Sequence, residues 1–273
     1  MTDANNVYQK LQRIWQAQNS LLCVGLDPDG DRIPAAVQAS STPYFDFCRA
    51  IIDATAEYAC AFKPQAAHFA AVGREGELAQ VIGYIRQEYP GHVVILDAKR
   101  GDIGSTAAYY AQEAYARYGA DAVTLSPYLG YESVEPYLAY ADKGIVVLCR
   151  TSNADSDWLQ NDANDAVPVY QRVAQRVCEW NRAQQCMLVA GATYPEELGK
   201  IRAIVGDMPL LVPGIGAQGG DLAAVMQHGV DGHGTGLLIS SSRGILYAGS
   251  GAAFAAAAAE AAGELREQIH SYR

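Results

Sequence analysis

The chain has 273 residues, room for one large domain or two small ones, and half of them are apolar, enough for a sizeable core. Its formal charge of −10 and the lack of any Lys/Arg run argue against a general nucleic-acid or membrane-surface binder, so an anionic ligand must be held locally. No apolar stretch reaches transmembrane length, and Met1-Thr2-Asp3-Ala4-Asn5-Asn6 carries neither the basic region nor the apolar core of a signal peptide; a cytoplasmic location is the expectation.

In chain order, residues 6–18 predict a helix laid across the bottom of the fold. Eight short β-type runs follow at 21–26, 60–63, 93–98, 122–125, 145–149, 187–190, 210–212 and 237–240. Amphipathic helical stretches lie between them, among others at 44–58, 77–88, 106–118, 169–182 and 222–228. Several runs are apolar on both faces, as a parallel sheet covered by helices requires. Eight β-then-α units without a Pro/Gly/Ser linker give a single (β/α)8 barrel over residues 1–273, with an open doubly wound sheet as the alternative. Residues 251–273 open in an alanine-rich, strongly helix-forming run and close the chain as an outer helix. The six cysteines, Cys23, Cys48, Cys60, Cys149, Cys178 and Cys186, sit singly in apolar segments and read as reduced core residues; neither they nor the five histidines show metal-binding spacing.

In such a barrel the polar residues at the C-terminal ends of the strands are read together. The third run, Val93-Val94-Ile95-Leu96, passes directly into Asp97-Ala98-Lys99-Arg100-Gly101-Asp102-Ile103. Strand alternation would turn Asp97 and Lys99 to one side, and Gly101 would let the chain turn. Buried unpaired, these charges would cost several kcal/mol each, roughly, so a paired network is expected; a salt bridge capping the strand is the plainer reading. Asp27 ends the first strand, where it could also cap a loop. Lys63-Pro64 ends the second after an apolar run, and Arg150-Thr151-Ser152-Asn153 ends the fifth. Pro213-Gly214-Ile215-Gly216-Ala217-Gln218-Gly219-Gly220 runs from strand to helix and frees backbone N–H groups for a phosphate; Ser240-Ser241-Ser242-Arg243-Gly244 adds an arginine suited to bidentate phosphate contact. The spacing Gly214-x-Gly216-x-x-Gly219 also matches a dinucleotide fingerprint, but residues 236–242 offer no Asp or Glu to grip a ribose.

Taken in order and spacing, Asp27, Lys63-Pro64, the run from Asp97 to Thr106, Thr151-Ser152-Asn153, the glycine-rich 213–220 segment and Ser242-Arg243-Gly244 resemble the orotidine 5′-monophosphate decarboxylase family, in its longer bacterial (type 2) subgroup. The resemblance implies decarboxylation of orotidine monophosphate to uridine monophosphate, the last step of pyrimidine nucleotide synthesis, in a homodimer needing neither metal nor cofactor. It also implies roles. Asp27 and Lys63 would hold ribose hydroxyls. Asp97 would face the substrate carboxylate and Lys99 would protonate the ring carbon, while Asp102 would reach the partner subunit's site with Ile103 and Thr106 crossing the same interface. Ser152 would read the pyrimidine edge, Pro213 would pack near the base, and Gln218 and Arg243 would hold the phosphate. Two departures stand out: Ser126 precedes Pro127 where the family has Asn, and Ala154-Asp155 follows Asn153 where it has Pro-Gly. The Asp/Asn-rich stretch 154–167 is expected as a loop over the site. Rival readings are a magnesium-dependent sugar-phosphate enzyme of the same barrel superfamily and a catalytically silent nucleotide binder.

Overall fold

The computed structural model describes residues 6–163, 166–215 and 219–273. Eight parallel strands, β1 Leu22–Leu26, β2 Ala61–Pro64, β3 Val93–Arg100, β4 Ala122–Leu125, β5 Gly144–Arg150, β6 Cys186–Ala190, β7 Leu210–Pro213 and β8 Leu237–Ser241, pair in sequential order. Pairing of β1 with β8 through Leu22 and Ile239 closes the barrel and excludes the open sheet. The strands are buried almost throughout, as expected when helices cover the outside and side chains fill the inside.

The first helix, Val7–Gln18, is capped by Asn6, whose side chain accepts the Gln9 N–H at 3.0 Å. Its place is fixed by Lys10, which pairs at 2.8 Å with Asp121 just ahead of β4; the same carboxylate accepts the Val94 N–H of β3 at 2.8 Å. The Tyr8 hydroxyl donates to the Cys186 carbonyl at the start of β6. These contacts lie at the N-terminal ends of the strands, so the helix covers the barrel floor. At the other end of the chain, Phe254–Ser271 buries Phe254, Ala258, Ala262 and Ile269 along one face. It packs on the Pro43–Thr55 helix, where Phe254 and Phe47 stack at 5.3 Å. The helix starts later than the alanine run, after a 3-10 turn at Gly251–Ala253.

The cysteines are all free thiols, buried except for the half-buried Cys178, and burial pushes Cys23 and Cys186 up to about 12. No helix among the described residues is long and apolar enough to cross a membrane.

One strand breaks its pattern at the site. Against β4, β3 keeps register at Ile95 with Ala122 and Leu96 with Val123, then resumes only at Arg100 with Leu125. Residues 97–99 therefore stand opposite Thr124 alone. Lys99 has φ +47°, in the left-handed region. Asp97 and Lys99 share a side because of this bulge and not through simple alternation. Gly101 is not at positive φ; after Lys99 the next positive φ is at Gly104, at +57°.

Candidate active site

The bulge brings three ions and a hydroxyl together above the barrel core. Asp97, 6% exposed, receives Lys63 Nζ at Oδ2 (2.9 Å) and Lys99 Nζ at Oδ1 (2.6 Å). The Thr124 hydroxyl also donates to Oδ1, at 2.9 Å. Burial opposes ionisation of Asp97, but Lys63 and then Lys99 outweigh it and hold the carboxyl well below the usual carboxylate range. Burial likewise opposes the charge of Lys63, yet Asp97 and then Asp27 raise the amine above the ordinary lysine range. Both are ions at neutral pH. Lys63 lies against the wall, 6% exposed, whereas the Lys99 side chain is about half exposed (49%) and can meet a ligand. The plainer reading, a salt bridge capping the strand, does not account for a half-exposed second lysine on the same carboxylate.

Above the ions opens a cavity of about 640 Å³ lined by Lys63, Asp97, Lys99, Thr124, Ser152 and Pro213, with Trp158 and Gln160 on its rim. Lys63 and Pro213 also line an adjoining hollow with Asp27, Gly214, Ser241, Ser242 and Arg243, so one groove runs from the ions to the β7 and β8 ends. In it, Asp27 Oδ1 and Ser242 Oγ are buried polar atoms without hydrogen-bond partners among the described residues. An unpaired buried acceptor is costly, and a ligand hydroxyl would satisfy Asp27. Ser242 can lie there because Gly25 has no side chain: a Cβ on Gly25 would stand 2.8 Å from Ser242 Cβ. Arg243 opens the short Arg243–Leu246 helix, exposed and without an ion-pair partner among the described residues. Gly214 and Gly219, both at positive φ, shape the β7 loop, which closes through the Gly220 N–H to the Gly214 carbonyl at 3.1 Å. Gln218 lies outside the described residues.

Ser152 is held against β6. Gly191 approaches it so closely that a Cβ there would be 2.7 Å from its backbone nitrogen. The Thr193 hydroxyl donates to its carbonyl at 3.0 Å. The stretch expected as a loop begins with regular structure, a 3-10 turn at Ala154–Ser156 leading into the helix Asp157–Gln160, while residues 164–165 of it lie outside the described residues. Arg150, buried at the end of β5, anchors it by bonding Ser156, Asp157 and Gln160 and, on the other side, Glu197, with Tyr194 against its guanidinium face at 3.6 Å. Arg150 therefore serves as an anchor.

Three sequence-predicted residues are not part of the groove. Asp102 is half-buried with Oδ1 accepting the Ile103 N–H at 2.8 Å; Ile103 (49% exposed) and Thr106 face outward. Arg100, in the middle of the charged run, points away to Glu113 at 2.9 Å. Conversely, Thr124 and the Arg150–Gln160 anchor escaped sequence reasoning. Thr124 left one signal, a polar residue inside the apolar run Ala122-Val123-Thr124-Leu125. Of the two departures, Ser126 donates its N–H to the Arg100 carbonyl (2.8 Å), and Ala154-Asp155 forms the 3-10 turn.

The family described as "Orotidine 5'-phosphate decarboxylase / HUMPS family" matches residues 20–259. A Ralstonia pickettii protein named orotidine 5'-phosphate decarboxylase is 57% identical over 266 residues, covering 97% of this chain and 98% of the relative. A protein of the same name from a Janthinobacterium species is 54% identical over 265 residues, with the same coverage. Among solved structures, Leishmania donovani OMP decarboxylase superposes with a TM-score of 0.84 at 39% identity, covering 97% of this chain and 98% of that one.

Proposed function

The chain belongs to the orotidine 5′-phosphate decarboxylase family, and on that premise we propose that it converts orotidine 5′-monophosphate to uridine 5′-monophosphate and CO2, closing pyrimidine nucleotide synthesis. The observation that carries this reading is the Lys63–Asp97–Lys99 ion chain at the foot of a nucleotide-sized groove.

The chemistry follows from where the charges stand. When the bond from ring carbon to carboxylate breaks, its electron pair stays on the ring carbon in the ring plane, with no ring system to delocalise it. A fixed cation at that carbon lowers the barrier, and a proton must quench the carbanion. Lys99 Nζ can do both, and solvent returns its proton afterwards. Asp97 keeps that ammonium charged and aimed, and Lys63 keeps Asp97 ionised; a field arranged in advance needs no reorganisation during the reaction. Asp27 with Lys63 takes the ribose hydroxyls. Ser152 reads the pyrimidine edge, with Pro213 against the base. Arg243 with Gln218 grips the phosphate, whose binding energy is spent far from the reacting carbon on orienting the ring. The reaction so written needs no metal or organic cofactor.

Asp102, Ile103 and Thr106 take no part in their own groove, and their outward placement suits a homodimer in which Asp102 completes the site of the second copy. Exposed Tyr109, at 70%, lies on the Gly104–Gln112 helix that carries Thr106 and would join that interface. The setting is the cytoplasm.

Loss of orotidine monophosphate absorbance on adding purified protein, with and without EDTA, tests the reading. Turnover that resists the chelator is expected. Absence of turnover with uridine monophosphate still bound would leave a silent binder, and activity only on a sugar phosphate with magnesium would favour the rival enzyme class.

A further inference from the structure

The β3 bulge leaves the Ala98 and Lys99 amides without backbone partners on β4, since register is lost between Leu96 and Arg100. One side chain replaces the missing ladder. Thr124 Oγ1 accepts both amides, from Ala98 at 3.0 Å and from Lys99 at 2.9 Å. A hydroxyl has one proton and two lone pairs. With both lone pairs taken, its proton has one remaining direction, and Asp97 Oδ1 lies there at 2.9 Å. The donor and acceptor roles are therefore fixed without seeing the hydrogen. The same oxygen receives Lys99 Nζ at 2.6 Å, so Thr124 touches the lysine from both ends: its backbone directly and its ammonium through the shared carboxylate. Thr124 is 1% exposed, which removes water as a substitute.

Left-handed backbone is uncommon for a residue with a Cβ and persists where the surroundings over-determine it. At Lys99, φ +47°, the bonds that do so come from Thr124. Released from them, Lys99 could relax to extended backbone, which would swing its side chain off the Asp97 side.

We propose that Thr124 is a positioning residue for the decarboxylation, setting the aim of Lys99 by holding the left-handed backbone and the Asp97 carboxylate with one hydroxyl. The inference rests on the function proposed above and adds to it a residue that acts through Asp97 and Lys99. Its effect falls on the chemical step. Asp27, Ser152, Pro213 and Arg243, which bind the nucleotide away from the reacting carbon, stand at the ends of β1, β5, β7 and β8 and not beside Thr124, so nucleotide affinity is largely kept.

The test uses the full chain with Thr124→Val, which keeps shape and loses the hydroxyl, and Thr124→Ser, which keeps the hydroxyl and loses a methyl. A misplacement on the order of 1 Å at a reacting group can cost about 10²-fold. Thr124→Val should therefore lower kcat by about that factor, with KM and the Kd for uridine monophosphate within about threefold of wild type. Thr124→Ser should restore kcat to within about threefold. Near-normal kcat in Thr124→Val, an equal loss in Thr124→Ser, or parallel loss of kcat and uridine monophosphate affinity would each overturn the assignment. Should the valine chain not fold, Thr124→Ala carries the same prediction; failure of both to fold, with serine folding, would assign the hydroxyl to stability and overturn positioning. An inactive wild-type chain would overturn the proposed function and this inference with it, whereas an active wild type beside an equally active Thr124→Val overturns this inference alone.

Discussion

Gly191→Ala puts the least possible added matter, one methyl, where the β6 end meets the β5 loop. Gly191 does not have positive φ, so alanine brings no backbone penalty, and the effect comes from contact alone. The new Cβ would stand 2.7 Å from Ser152 N, 2.8 Å from its Cα and 3.0 Å from its Cβ, while ordinary contact begins near 3.4 Å. A retreat of roughly 0.7 Å is needed, because repulsion rises steeply inside the contact distance. Both sides are tied: the Gly191 N–H donates to the Arg150 carbonyl at 2.7 Å, and Ser152 O accepts the Thr193 hydroxyl. Overpacking of such a junction costs about 1–3 kcal/mol. For function, a displaced Ser152 would lose the bond to the pyrimidine edge proposed for it, worth about 1–2 kcal/mol and hence roughly a tenfold drop in kcat/KM. Steady-state kinetics on orotidine monophosphate, run beside a thermal melt, checks both. Wild-type kcat/KM together with wild-type Tm would refute the close packing and the role given to Ser152.

Arg243→Ala removes the cation at the β8 end of the groove, and loss of the charge-assisted phosphate contact proposed for it, about 1.5–3 kcal/mol, should lower kcat/KM roughly 10- to 100-fold. Unchanged kinetics would move the phosphate elsewhere. Gly83→Ala acts in the opposite direction: Gly83 is exposed inside the helix Glu75–Glu88, and its Cβ would meet nothing within 4 Å. It should stabilise by about 0.4–1 kcal/mol, read as a higher urea midpoint, and a lower midpoint would count against that helix. The pH dependence follows from the ion chain. The folded-state pKa of Asp97 is lowered, so its contribution is present above the ordinary carboxylate range and lost on acidification below it; that of Lys63 is raised, so its contribution is present below the ordinary lysine range. The stability difference between wild type and Asp97→Asn should be flat from about pH 5 to about pH 9 and shrink as the pH falls further. A difference that grew towards low pH would reverse the assigned shift.

Much of the site was legible because a parallel barrel converts sequence position into space: whatever follows an apolar run lies at the same end of the molecule. Asp27, Lys63, Asp97, Ser152, Pro213 and Arg243 come to line one groove that way, and the strands fall within a few residues of their apolar runs. Local irregularity was not legible. Alternation gave the right side for Lys99 for the wrong reason, since a bulge and a left-handed residue do the work that an even strand was expected to do. Positive φ was to be looked for at Gly101, yet it is Lys99 that adopts it, where Thr124 secures the backbone. Arg150 read as one of several polar residues at a strand end; its bonds to Ser156, Asp157, Gln160 and Glu197 depend on a fold-back that no spacing announces. Residues that serve a second copy, as proposed for Asp102, carry no mark of it in one chain beyond facing away from their own groove.

The most direct measurement is turnover of orotidine monophosphate by Lys99→Ala beside wild type, with binding of uridine monophosphate measured on both. If Lys99 supplies the cation and the proton, the variant loses decarboxylation while nucleotide binding stays measurable. Near-normal turnover by Lys99→Ala would contradict the account at its centre, because no other ammonium in the groove is both exposed to the ligand and held by Asp97.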